Sequence, residues 1–147
     1  EARLKMSTFE PQHISNLVWA MANSQVADTA ACRAAASETL RKLAAFKVQE
    51  SCSLLWALVS LAVHDAALVG AVSASALERR RHFTPRDSSS LLWALATFRC
   101  GDVPLVAALG HEAVGLAAHM NAQDLANTMW SFARLEHAPP GFEAAVC

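Results

Sequence analysis

The chain has 147 residues, 54% of them hydrophobic, with a formal net charge of −1. That apolar content excludes disorder, and the charge excludes the uniformly basic surface that is the usual footprint of nucleic-acid binding. Alanine and leucine dominate, tyrosine is absent, and glycine and proline number only five each, which favours an all-α chain over a β-sandwich with its many turns.

Residues 1–6, EARLKM, stand one period before 38–43, ETLRKL, so the chain is predicted to open inside a helix. From there the sequence repeats. Trp19, Trp56, Trp93 and Trp130 are spaced by 37, and Phe9, Phe46, Phe83 and Met120 precede them by ten. Asp28, Asp65 and Asp102 follow their tryptophans by nine residues, with Pro139 in the fourth place. Aspartate caps the unpaired N–H groups of a helix's first turn, and proline is tolerated there. Thr84 to Asp87 and Asn121 to Asp124 have the form of capping boxes, opening the Trp-bearing helices.

Each unit is therefore read as two helices. Helix A runs from about Pro11 to Ser24 and helix B from about Thr29 to Leu43, with equivalents 37 and 74 residues on. Such a pair cannot bury its apolar side alone, so neighbours must stack. The expectation is a right-handed α-solenoid of antiparallel helix pairs forming one domain. Its divisions are a partial repeat 1–8, repeats 9–45, 46–82 and 83–119, and a partial repeat 120–147. Because the last residue, Cys147, falls midway through a fourth helix B and neither end carries a polar capping face, the chain is expected to be a window of a longer array.

Helical periodicity assigns Ile14, Leu17, Val18, Met21 and Gln25 to the core and His13, Asn16, Ala20 and Asn23 to the opposite side. The tryptophans, with Phe46 and Phe83, hold repeat-invariant positions and are expected to pack in the core. His13, Asn16 and Asn23 recur as Glu50, Ser53 and Ser60, then Asp87, Ser90 and Thr97, then Asp124, Asn127 and Arg134. Variable hydrogen-bonding groups at fixed places in each repeat suit base-by-base reading of RNA. They also suit a solvated helix face, and the acids at one of these positions repel phosphate.

The phrases PQHISNLVWAMA, SSSLLWALATF and AQDLANTMWSFARL resemble the helix-A consensus of the octotricopeptide repeats. They are similar, too, to the heptatricopeptide repeats found with RAP domains, both families being related to the FAST-kinase-like proteins. Gln12, Gln49 and Gln123 match the family glutamine while Arg86 departs from it, and Asn16 and Asn127 give way to Ser53 and Ser90. The resemblance implies binding of organellar RNA, rRNA included, in mitochondria or else chloroplasts, during processing, stabilisation, translation or ribosome assembly.

Charge is unevenly spread. Residues 79–99 hold five arginines against Asp87, a net +4, and the rest of the chain is −5. Arg79, Arg80, Arg81 and Arg86 are the candidate phosphate contacts; the first three serve equally well to complement the C-terminal dipole of a helix.

Catalysis has little support. His64-Asp65 and His111-Glu112 are neighbours in sequence, which on a helix diverge by about 100°, and no phosphate loop, catalytic triad or metal spacing is present. Cys32, Cys52, Cys100 and Cys147 form no Cys-x-x-Cys pair, so structural thiols are expected. No apolar run reaches the roughly 18 residues that span a bilayer, and no secretory leader opens the chain. A non-enzymatic protein without cofactor, metal, membrane insertion or small-molecule substrate follows. It either binds RNA or scaffolds protein neighbours in a large organellar assembly such as a mitochondrial ribosome.

Overall fold

Every long helix whose start is described begins where a side chain or a proline resolves the unpaired N–H groups of the first turn. In the computed structural model, which describes residues 6–100 and 103–146, the helices are α1 (Pro11–Asn23), α2 (Thr29–Lys42), α3 (Val48–Ser60), α4 (Ala66–Arg79), α5 (Pro85–Phe98), α6 (Val103–Leu116), α7 (Ala122–Leu135) and α8 (Phe142–Val146). There is no strand among the described residues. Asp28 Oδ1 accepts from the Ala31 N–H at 3.0 Å and Asp65 Oδ1 from the Leu68 N–H at 2.9 Å. Asp102, Cys147 and residues 1–5 of the opening helix expected over 1–6 lie outside the described residues; Met6 is helical and buried.

The odd-numbered helices begin at residues 11, 48, 85 and 122, and α2, α4 and α6 at 29, 66 and 103, every step being 37. Their ends repeat as well. One-turn 3₁₀ segments close α2, α4 and α6 at Leu43–Ala45, Arg80–His82 and Ala117–His119. After α1, α3, α5 and α7 the chain turns through a left-handed residue at Gln25, Ala62, Arg99 and Glu136, with φ of 53° to 56°. In the first of these the Val26 N–H donates to the Met21 carbonyl and the Gln25 N–H to the Ala22 carbonyl, and the other three repeat the pattern. This is the Schellman arrangement, closed here by residues other than its usual glycine. Gln25, expected in the core, sits instead at this exposed turn.

By its internal contacts the chain divides into two compact units, Glu1–Val72 and Ser73–Cys147, and the division falls inside α4. In the first unit α1 packs chiefly on α3, burying Ile14 and Val18 on one helix and Leu54, Leu55 and Leu58 on the other. Lys42 Nζ ties the start of this unit down, donating to the carbonyls of Ser7 and Phe9 at 2.7 and 2.8 Å and pairing with Glu38 at 3.0 Å. In the second unit α5 packs chiefly on α7, burying Leu91, Leu92 and Leu95 against a helix whose own buried residues include Thr128 and Phe132. Phe132 meets Phe142 of α8 edge to face at 5.2 Å. A Cβ at Gly110 would stand 3.1 Å from Pro139, so glycine lets the turn before α8 approach α6.

The tryptophans depart from expectation. Phe46 and Phe83 are buried as expected, as is Met120 at the equivalent position, with Phe9 half-buried, but Trp19 and Trp130 are 46% and 44% exposed, and Trp56 and Trp93 are half-buried. The reason is steric. Paired helices approach to about 8–10 Å, and the buried residues on the faces that meet them are small or branched: Ser15 and Val18 on α1, and Ser89, Leu92 and Ala96 on α5. An indole one position further on is rotated about 100° away from that contact.

On α7 the positions equivalent to Ser89, Leu92 and Ala96 are Ala126, Met129 and Ala133, all exposed, Met129 to 52%. A helix of the same pattern would bury them, as α7 buries their counterparts on α5.

Two substitutions distinguish the roles. Leu92→Ala should lower stability by about 2–5 kcal/mol, the range for emptying a core site, while Trp130→Ala should move the thermal midpoint far less. Ala62→Gly should raise it, by about 1 kcal/mol of relieved left-handed strain. Circular-dichroism melts of the three variants measure both effects, and a lowered midpoint for Ala62→Gly would show that the turn is not strained.

Candidate nucleic-acid interface

Spacings of four, three and four residues keep side chains on one face of a helix. On α1 that face carries Gln12, Asn16, Trp19 and Asn23, all exposed. On α3 it carries Gln49, Ser53, Trp56 and Ser60, on α5 Arg86, Ser90, Trp93 and Thr97, and on α7 Gln123, Asn127, Trp130 and Arg134, each exposed or half-buried. Every helix of the set thus presents one indole between polar neighbours and no acid at these four positions.

The geometry is most developed on α5 and α7. The ring centroids of Trp93 and Trp130 stand 6.5 Å apart with planes tilted by 33°. The Arg134 guanidinium lies over the Trp130 ring, 5.3 Å from its centroid, a cation–π arrangement. Its Nε donates to the Ala96 carbonyl at 3.2 Å, joining α7 to α5. Gln123 Nε2 donates to Asn127 Oδ1 at 3.0 Å. The hydroxyls of Ser60 and Thr97 donate to the carbonyls of Trp56 and Trp93 at 2.9 and 2.8 Å.

His13 and its counterparts serve elsewhere. The Glu10 N–H donates to His13 Nδ1 at 3.3 Å and the Lys47 N–H to Glu50 Oε2 at 2.8 Å. Asp87 accepts from the Thr84 N–H and hydroxyl at 3.0 and 2.7 Å. Asp124 accepts from the Asn121 N–H at 3.4 Å and, across helices, from the Ser89 hydroxyl at 3.0 Å. These residues are helix caps, with Asp87 and Asp124 buried. The acids that were expected to repel phosphate are therefore withdrawn from the stripe. Asn16, Ser53, Ser90, Asn127, Asn23 and Arg134 lie on it.

The four candidate arginines of the basic segment, Arg79, Arg80, Arg81 and Arg86, are not equivalent. Arg79 Nη2 donates to the Ser75 hydroxyl, and Arg80 Nη1 donates to the Leu77 carbonyl at 2.8 Å, with its Nε 4.0 Å from Glu112. These interactions fit cations closing a helix C-terminus. Arg80 and Arg81 line an open hollow with Ala107, Ala108, His111 and Glu112 of α6, whereas Arg86 sits in the first turn of α5, on the Trp stripe. Arg81 and Arg86 are the exposed members.

Sequence reasoning took Arg86 as a phosphate contact but did not place Gln12, Gln49 and Gln123, or the tryptophans themselves, on this stripe. The signal was present: each Trp is in helical phase with polar residues seven before, three before and four after it.

A family model for the RNA-editing substrate-binding complex 6 protein, RESC6, matches residues 4–142. The chain belongs to that family. This corrects the resemblance to octotricopeptide and heptatricopeptide repeats, which rested on short phrases around each tryptophan, whereas the RESC6 match runs through residues 4–142. The chloroplast, ribosome and RAP-domain expectations that came with that resemblance go with it. No curated protein matches the chain.

Among the described residues of this RESC6-family chain no group of histidine, cysteine or acidic side chains is placed to hold a metal, and no helix is long and apolar enough to cross a membrane. Burial, and secondly the charge of Asp28, pushes the Cys32 thiol above its ordinary value. A raised thiol pKa keeps the group protonated at neutral pH, and the stability this contributes is lost as pH rises through the folded value. Since the thiolate is the reactive form, alkylation of the native protein at neutral pH should modify half-buried Cys100 well before buried Cys32 and Cys52. Mass spectrometry of a timed iodoacetamide reaction measures the order, and early labelling of Cys32 would contradict it.

Proposed function

We propose that this chain is a non-catalytic, RNA-binding helical-repeat component of a mitochondrial RNA-editing substrate-binding complex. The compartment follows the family, whose editing complexes act in mitochondria. The observation that carries RNA binding is the outward face found on each of α1, α3, α5 and α7: one exposed or half-buried indole per helix, flanked by amide, hydroxyl or guanidinium groups, with the nearby acids tied into caps. The 37-residue recurrence of the starts of α1 to α7 and of the left-handed turns after α1, α3, α5 and α7 supports a right-handed α-solenoid in which helix pairs of the same pattern stack.

Protein neighbours belong to the same reading. The exposed Ala126, Met129 and Ala133 of α7 match positions that α7 itself covers on α5, so a helix of that pattern is the neighbour suited to them. A scaffold that holds protein and touches no RNA is the second reading, favoured by the net charge of −1.

Fluorescence anisotropy with a labelled mitochondrial RNA over a series of salt concentrations separates the two. RNA binding should weaken with salt. Arg81→Gln together with Arg86→Gln should flatten the logarithmic slope by roughly 0.7 for each phosphate of a single strand that the protein no longer neutralises. Absence of any salt-dependent binding by the wild-type chain would overturn the RNA reading and leave the scaffold.

A further inference from the structure

We infer that Trp93 and Trp130 form a stacking site for one unpaired nucleobase, with Arg134 fixed at its edge, and that this site makes the chain select single-stranded over duplex RNA. The inference rests on the RNA-binding reading and adds to it the strand state and the residues that read it.

Stacked bases are spaced by about 3.4 Å, so two rings that hold a base between them stand about 7 Å apart. Trp93 and Trp130 are already 6.5 Å apart at their centroids and splayed by 33°. A small opening of the pair therefore admits a base. Neither ring has to be pulled from a core, since Trp130 is 44% exposed and Trp93 half-buried. Exposure of an indole forgoes burial worth roughly 25 cal/mol per Å² of apolar surface, a sacrifice that α7 makes with Trp130 while keeping Phe132 inside.

Arg134 supplies the polar edge. Its Nε is held by the Ala96 carbonyl and its guanidinium lies over Trp130, so the plane is set in advance while the terminal amino groups remain as donors for a phosphate or a base edge. On the same face Asn127 accepts from Gln123 through Oδ1. That hydrogen bond leaves the Asn127 amino group as a donor and Gln123 Oε1 as an acceptor, a complementary pair for a base that has been turned out of a helix.

Duplex RNA cannot use this surface. Its bases present no open π-face, and its major groove is too deep and narrow for side chains to read, so stacking on an aromatic requires an unpaired residue. An aromatic or proline-rich peptide is the other ligand that an indole pair could take.

The test measures binding of a short unstructured RNA and of its blunt duplex to the intact chain, by anisotropy and by quenching of tryptophan emission. Single strand should bind at least about tenfold tighter than duplex and quench the emission. Trp130→Ala should weaken single-strand binding by roughly tenfold with an unchanged circular-dichroism spectrum, and Trp130→Phe should keep most of it. Arg134→Gln probes the site without touching the ring and should weaken binding several-fold. Equal affinity for single strand and duplex, or undiminished binding by Trp130→Ala and Arg134→Gln, overturns this site while RNA binding itself stands. Failure of the wild-type chain to bind either RNA at low salt removes both, and leaves a peptide ligand for the indoles.

Discussion

Close approach of α1 to α3 and of α5 to α7 is the constraint from which the remaining surface follows. Two helices packed side by side leave little room at their closest contact, and Ser15 and Val18 of α1 and Ser89, Leu92 and Ala96 of α5 are buried. An indole at the next position along the helix has no place in that gap. It must turn outward, onto a face whose other members are polar. The four indoles at matched positions are thus a product of core packing, although they are not part of the core. A single mechanical requirement, repeated at intervals of 37, sets out aromatic rings on the solvent side of each helix in the set.

The caps solve a second problem. A helix N-terminus attracts anions through its unpaired N–H groups and dipole, and a carboxylate supplied by the helix itself satisfies those groups. Glu50, Asp87 and Asp124 do this, and Asp124 also binds Ser89 on the neighbouring helix. Their charge is directed into the backbone. A face that from sequence carries an acid in three of its four copies therefore offers ligands amides, hydroxyls, Arg86 and Arg134.

Much of this was legible in the sequence because repetition reports on packing. The spacing of the tryptophans located every described long helix, and Asp28, Asp65, Thr84 and Asn121 marked helix starts that the structure keeps. What failed was the inference from invariance to burial. A position can be held constant because it faces inward or because the neighbour's geometry always turns it outward, and spacing alone does not distinguish these. Helical phase did: Trp19 is in step with Gln12, Asn16 and Asn23, not with Ile14 and Val18. His13 misled in the opposite way. Its polar neighbours suggested a reading surface, yet its place three residues after the cap position assigned it to the helix start. The arginine run divided for a reason that no spacing reveals, since the partners of Arg79 and Arg80 are Ser75, the Leu77 carbonyl and, on α6, Glu112.

A chain of net charge −1 that binds RNA cannot do so as a polycation. Counterion release scales with the phosphates neutralised, and among the described residues the exposed cations at the stripe positions are Arg86 and Arg134. Stacking supplies what charge does not, at about 1–3 kcal/mol per base and with little preference among bases. Affinity built this way grows with the number of indoles engaged, and it demands bases that are free to leave one another. On the proposed reading, such a surface would hold unpaired RNA without clamping its backbone, so a complementary strand would compete directly for the same bases. Base pairing and protein binding would then exclude each other at each nucleotide, because a base stacked on an indole has left its helix.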